Sequence, residues 1–411
     1  MSPTQLGERT LFSVSSSSDD PYTRELWSFR VCGDAVLLTD SMRSGPMIAP
    51  PWPKSALVLR TGGDIVALDP DGDTPAELLS DELDEPFLWA AATAMGILVF
   101  NSGDGDDFNW VSFYRYADTD TPGLEPSAEV SAVGGGGEVV LDDELFFQPF
   151  DIDGLLRVSL VDLSQAIEAS PVFDFAVTPS HLLTISGGEA RLRDRDGGEE
   201  AVFPVPAGIL TLTLDAETAT VYVDDGSANP VQTILVDLES GARHEFDGVR
   251  PVGRAPDGRW VLDGDDEVSL ADPLSGELQV LTDVVEKFTR IEVAEDGVLL
   301  VDGPEDPIRL VSYDGGDEEL LASRSEHRFQ RLSDGRVVTR VDVDQDQDQD
   351  PIGDLVVVDR GTLAERLIDT HVVTLWVEGA ETLPADVVAY QVRDGERSGL
   401  YLVNLGGAPY P

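Results

Sequence analysis

Arg250 to Thr282 reads RPVGRAPDGRWVLDGDDEVSLADPLSGELQVLT and divides into four short β-rich runs. The first enters a turn at Pro256-Asp257-Gly258, and the second leaves it through Trp260, Val261 and Leu262. The third is EVSLAD. The fourth, ELQVLT, follows the turn Pro273-Leu274-Ser275-Gly276. Asp-Gly between apolar runs marks a tight hairpin, because the central turn positions need positive φ. The chain lacks long amphipathic helical patterns, and stretches such as LSQAIEAS (Leu163 to Ser170) are too short for a helix.

Working outward, the hairpin recurs. Asp296-Gly297 lies 39 residues after Asp257-Gly258, and Asp334-Gly335 lies 38 residues further on. In the other direction Glu217, Ser180 and Asp143 occupy the same slot at spacings of 40, 37 and 37. The third run recurs as SLVDLS, ILVDLESG, VSLADPLSG, LVSYDGG, LVVVDRG and YLVNLGG, each an apolar strand ending in Asp or Asn before a turn. Two independent markers agree on a period near 40. Four strands per such period is the pattern of a β-propeller blade, which buries its faces only against neighbouring blades.

The expected fold is therefore all-β: one domain over residues 1–411, a single closed propeller of about eight four-stranded blades. The markers count nine first strands, near Trp27, Trp89, Val139, Phe175, Leu210, Val252, Ile291, Phe329 and Leu375. Seven to nine blades fit, and the unit nearest the N-terminus is the one expected not to be a full blade. The last unit ends after its third strand, at Leu405, so Thr10 to Val14 is expected to supply the missing fourth and close the ring.

Residues Pro256 to Thr282 resemble the TolB-type and broader WD40-like propeller repeats: Pro-Asp-Gly, an apolar strand, a strand ending in Asp, a Gly turn, then Leu-Thr. The match is partial at Leu332 to Val341 and Ala294 to Gly303, and faint before residue 200. No blade carries the Gly-His and Trp-Asp pair of true WD40 repeats. The resemblance implies a propeller used as a platform for protein contacts, and it transfers no catalytic residue.

Composition narrows the function classes. The 411 residues carry 79 Asp plus Glu against 27 Lys plus Arg, a formal net charge of −52. Nucleic acid is excluded as a partner, since phosphate binding needs clustered cations. One cysteine, Cys32, rules out an internal disulfide framework and a cysteine-based zinc site. No apolar run is long enough for a transmembrane helix. Only Lys54 and Lys287 are lysines, which fits either a GC-rich genome or adaptation to high salt. The N-terminus has no basic-then-apolar leader. This fits a cytoplasmic chain, or a mature secreted or lipid-anchored one whose targeting segment has been removed. The chain is expected to be monomeric.

Chemistry-bearing patterns are sparse. There is no Gly-x-Ser-x-Gly, and His181, His244, His327 and His371 are far apart. Two insertions break the period, at about 40–56 and 342–354. The first, proline-rich, is expected to be irregular rather than a strand. The second holds alternating acids, and Asp344, Asp346, Asp348 and Asp350 are the candidate calcium ligands. Fully extended, such acids lie about 6.6–6.8 Å apart on one side and cannot converge on one ion; a curled loop brings them together. Further oxygen-rich candidates are Asp69 to Asp73, Asp104 to Asp107 and Asp151 to Gly154. The functional expectation is a non-catalytic module that binds a protein or peptide at its rim or channel, with no cofactor. The alternative is a calcium-dependent propeller enzyme, a lactonase or glycan hydrolase or lyase, with carboxylates in the funnel.

Overall fold

The computed structural model describes residues 4–6, 9–15, 24–30, 35–47, 55–60, 64–72, 77–80, 87–102, 108–117, 124–125, 128–131, 135–195, 197–198, 200–206, 209–215, 217–224, 232–264, 267–283, 290–301, 306–315, 318–326, 328–344, 351–376 and 386–406. Among these residues the regular structure is almost entirely antiparallel β, with one short 3-10 turn at Gly395–Arg397. No helix is long and apolar enough to cross a membrane.

The decisive stretch folds as expected. Val249–Arg254, Trp260–Gly264, Glu267–Ala271 and Leu278–Asp283 pair in sequence order as one four-stranded sheet. Its second and third strands are buried on both faces: Val261, Leu262, Val268 and Leu270 have no exposed surface. This explains why such strands read as unbroken apolar runs, while fourth strands alternate and leave Leu278 and Val280 exposed.

From the second half of Ala35–Met47 to the first half of Glu365–Trp376, the strands form eight consecutive four-stranded antiparallel units, the arrangement of an eight-bladed β-propeller. Seven of the expected first-strand markers, from Trp89 to Phe329, lie in first strands. The eighth unit, spanning Met42 to Ser80, carries no marker. Trp27 lies in Arg24–Arg30, between Arg9–Ser15 and the first half of Ala35–Met47, and so is not in a first strand. Leu375 opens a terminal three-stranded piece with Val387–Val392 and Gly399–Asn404.

Two expectations are corrected. Thr10 to Val14 does not close the last blade: Arg9–Ser15 pairs with Thr4–Leu6 on one edge and Arg24–Arg30 on the other, so both its edges are taken locally. Short hairpins reach each other at little entropic cost, which favours this pairing over one spanning the chain. The insertion at 40–56 is also not wholly irregular. Asp40 to Met47 continues the strand from Ala35, bending through register shifts at Met42 and Ser44 around Gly45-Pro46. Residues 48–54 lie outside the described residues.

The chain forms two compact units. One covers Met1–Phe175; the other covers Ala176–Ala380 and Pro384–Pro411. In each, the cores lie between successive sheets. In the first, Leu98, Phe100 and Val111 of one sheet pack on Leu145, Phe147 and Val158 of the next. In the second, Leu183 and Ile185 pack with Val221 and Ile234, and Leu299 and Val301 with Val337 and Val358. Each fully buried Val, Leu or Phe contributes on the order of 1.5–3 kcal/mol.

Candidate functional site

In the first unit, Gly135–Leu141, Glu144–Pro149, Leu155–Ser159 and Gln165–Ala169 form one four-stranded unit. The turn after Glu144–Pro149 runs Phe150-Asp151-Ile152-Asp153-Gly154. It borders a concavity of about 650 Å³, whose walls include Gln148, Phe150, Asp151, Ile152, Asp153 and Val172.

Local chemistry holds this turn open. Gly154 N–H donates to the Ile152 carbonyl at 2.8 Å, folding the turn tightly on itself. A Cβ on Gly154 would come within 2.7 Å of the Ala169 carbonyl oxygen, so the close approach needs glycine. Ser170 Oγ donates to the Asp153 carbonyl, tying the turn to the chain leaving Gln165–Ala169. Across the concavity, Gly137 sits in a register shift of its strand at φ 63°, and a Cβ there would touch the Phe175 ring at 3.5 Å.

The walls mix three kinds of surface. Phe150 is 60% exposed, an unusual position for a ring of that size. Gln148 Nε2 is shielded from solvent and has no hydrogen-bond partner among the described residues, although donors left in that state are costly. The side chains of Asp151 and Asp153 are exposed and make no hydrogen bond or ion pair among the described residues, and no basic side chain lines the walls. Beside Val172, Phe173 is 72% exposed, while half-burial raises the Asp174 carboxyl above its ordinary range against the Phe175 N–H that donates to it. The lining residues contain no Ser, Thr, Cys or His, hence no nucleophile and base pair. The arrangement offers an exposed aromatic ring to an apolar group and two carboxylates to a cation.

The calcium candidates are placed only in part. Asp344 ends the strand Val337–Asp344 and pairs with Ile352 of the next strand, so the acidic run connects two neighbouring strands. Asp346, Asp348 and Asp350 lie outside the described residues, as does Asp104 to Asp107. Asp69 accepts the Asp71 N–H at 2.9 Å, and the Asp71 carboxylate pairs with Arg9 at 2.7 Å. Of these oxygen-rich stretches, Asp151 to Gly154 borders the concavity. Among the described residues no three His, Cys, Asp or Glu side chains gather as a metal-binding group. Three histidines are separately engaged: His181 with Ser180 and Asp194, His244 with the Leu274 carbonyl, and His371 with Thr370. His327 lies outside the described residues.

Sequence reasoning missed Gln148, Phe150 and Val172. The usable signal was an aromatic residue placed directly before a Gly- and Asp-rich turn, QPFDIDG, where the repeat elsewhere has small or polar residues.

No family model and no curated protein matches the chain. Among solved structures, an oligogalacturonate lyase in complex with manganese is similar at TM-score 0.39 and 13% identity, over 98% of this chain and 97% of that one. The dihydro-heme d1 dehydrogenase NirN, in complex with DHE, is similar at TM-score 0.42 and 14% identity, over 89% and 74%. The tricorn protease is similar at TM-score 0.28 and 11% identity over 97% of this chain but 56% of its own, so this chain spans little more than half its length. None of these likenesses bears on what this chain binds or does.

Proposed function

We propose that the chain is a non-catalytic interaction module, built from TolB-type or WD40-like repeats, that docks a protein or peptide segment in the concavity beside Phe150. The observation that carries the proposal is an exposed aromatic ring on a concavity whose two carboxylates have no partner among the described residues. Concavities of about 300–1,000 Å³ hold small ligands or a few side chains of a partner. An exposed aromatic beside one is the usual anchor of a binding surface. No cofactor enters this account.

Selection of a displayed random-peptide library on the intact protein tests the proposal, with Phe150→Ala as the counter-target. Peptides enriched on the unaltered protein and lost on Phe150→Ala are expected. Enrichment that is equal on both proteins would place docking elsewhere.

A further inference from the structure

We infer that two copies of this chain pair edge to edge through Gly399–Asn404, as an antiparallel two-fold dimer centred on Leu402. The inference is independent of docking beside Phe150. The strand belongs to an unfinished unit: the second half of Glu365–Trp376, then Val387–Val392 and Gly399–Asn404, repeat the first three strands of a blade. They pack on the preceding unit, where Val388 and Tyr390 share a core with Leu332 and Val338, and Arg336 donates to the Leu405 carbonyl. Each of the eight complete units has a fourth strand beyond its third. Among the described residues, none pairs along the outer edge of Gly399–Asn404.

The eight fourth strands guard their own edges. Each carries at least one Asp or Glu, from Glu77 in the first to Glu365 in the last. Charged side chains keep exposed edges from pairing with other chains. Gly399–Asn404 reads GLYLVN, with no charge and no proline.

The phase of the strand selects the register. Leu405 N–H donates to the Asp386 carbonyl, and residues of an antiparallel pair alternate between those that exchange hydrogen bonds and those that do not. Gly399, Tyr401 and Val403 therefore turn their backbone groups towards Val387–Val392. Leu400, Leu402 and Asn404 turn their N–H and C=O groups outward. A two-fold axis at Leu402 sets it against the partner's Leu402, and Leu400 against the partner's Asn404. Every outward N–H then meets an outward C=O. Tyr401 falls opposite the partner's Val403, an aromatic and β-branched pair of the kind that stabilises sheets. Thr4–Leu6, another uncharged strand paired on one edge, has three residues and would leave half of this edge bare. A foreign strand drawn by the net charge of −52 would be chosen for its cations, and this edge offers them no acid.

A six-residue edge, about 20 Å long, falls short of the roughly 1,000 Å² of a stable interface, so the dimer is weak. Repulsion between two acidic bodies weakens it further at low salt. The monomer expected from the sequence is its dilute form.

Sedimentation equilibrium of the intact protein tests the pairing, up to about 0.5 mM and at about 0.3 M sodium chloride, where remote charges are screened but directly opposed ones are not. The mass is expected to rise reversibly towards twice that of the monomer. Leu402 is half-buried, and Leu402→Lys or Leu402→Glu alone places like charges opposite each other across the axis. Each variant is expected to associate at least about tenfold more weakly, about 1.4 kcal/mol. An equimolar mixture of the two should recover the dimer, which also shows that both are folded. A monomer at every concentration, as when Thr4–Leu6 or a foreign strand covers the edge, would overturn the inference. A dimer that both variants keep would place the interface elsewhere and overturn it too, as would a mixture that stays monomeric.

Discussion

Arg340 shows how much one residue holds in place. Its guanidinium is 3% exposed and pairs through two nitrogens with Glu326, itself 11% exposed. The third nitrogen, Nη1, donates to the carbonyls of Pro351 and Val372, each at 3.0 Å, and to that of Val373. One side chain thus fastens the strand carrying the acidic run, the start of the next strand and the bend in Glu365–Trp376. Removing one partner of a buried pair leaves the other charged and uncompensated, at a cost of about 3–5 kcal/mol. Glu326→Ala is expected to lose that much in denaturant unfolding, and Glu326→Gln, which keeps an acceptor, to lose less. Partly exposed pairs act more weakly but carry a pH signature. Arg331 holds the Asp296 carboxyl below the ordinary carboxylate range, and Arg360 does so for Glu319. A carboxyl depressed on folding adds stability above its unfolded pKa of about 4 and loses it as pH falls through the folded value. Asp174 has the opposite sign: its raised pKa means that its contribution is present in acid and lost as pH rises through the folded value. Melting followed from pH 7 down to pH 2.5 should therefore show Asp174→Asn gaining on the unaltered protein only at the upper end.

At the scale of elements, the repeat markers have physical causes. Arg259 donates to Asp257 and also reaches Gln279 Oε1 and the Tyr313 carbonyl of the following sheet. Arg336 repeats this with Asp334 and the Leu405 carbonyl. The Asp-Gly-Arg sequence is thus a clip between successive sheets as well as a turn. Both turns close with three residues, and only Gly258 and Gly335 within them have positive φ, so these are not the two-residue hairpins that Asp-Gly suggests. Asp296-Gly297 differs again: a Cβ on Gly297 would lie 2.3 Å from the Val311 carbonyl oxygen, so glycine is needed for space. Gly297→Val is expected to destabilise by about 1–3 kcal/mol through overpacking, read as a lower melting temperature. The Asp that ends each third strand is equally explained, since Asp272 accepts from the Leu274 and Ser275 N–H groups and Asp237 from Ser240. These local rules made the strands after residue 130 legible. They failed at Met42 to Ser80, where one long bent strand pairs with Arg24–Arg30 through its first part and with Ala56–Arg60 through its last, and no Asp-Gly slot marks the hairpin. Calcium at Asp344, Asp346, Asp348 and Asp350 stands as a proposal from the sequence. It requires a melting temperature that rises with calcium after EDTA at constant ionic strength, and a rise removed by Asp346→Asn with Asp348→Asn; an unchanged melting temperature would dismiss it.

For the whole molecule, charge sets the conditions under which the fold persists. A net charge of −52 repels itself, and salt screens that repulsion over about 8–10 Å near physiological strength. Melting temperature at pH 7 should rise markedly between about 0.01 M and 1 M sodium chloride, and a flat response would mean that local ion pairs already neutralise the surface. The concavity was far less legible than the fold. Periodicity reports which side chains face a core, but Phe150, Asp151, Asp153 and Val172 come to line one concavity only once the strands are paired. The most direct test of the account is hydrogen–deuterium exchange on the intact protein, with and without a peptide selected against it. Slowed exchange confined to residues 147–155 and 170–175, and lost in Phe150→Ala, is the expected result. Protection centred elsewhere in the chain, or unchanged in that variant, would contradict docking at this site.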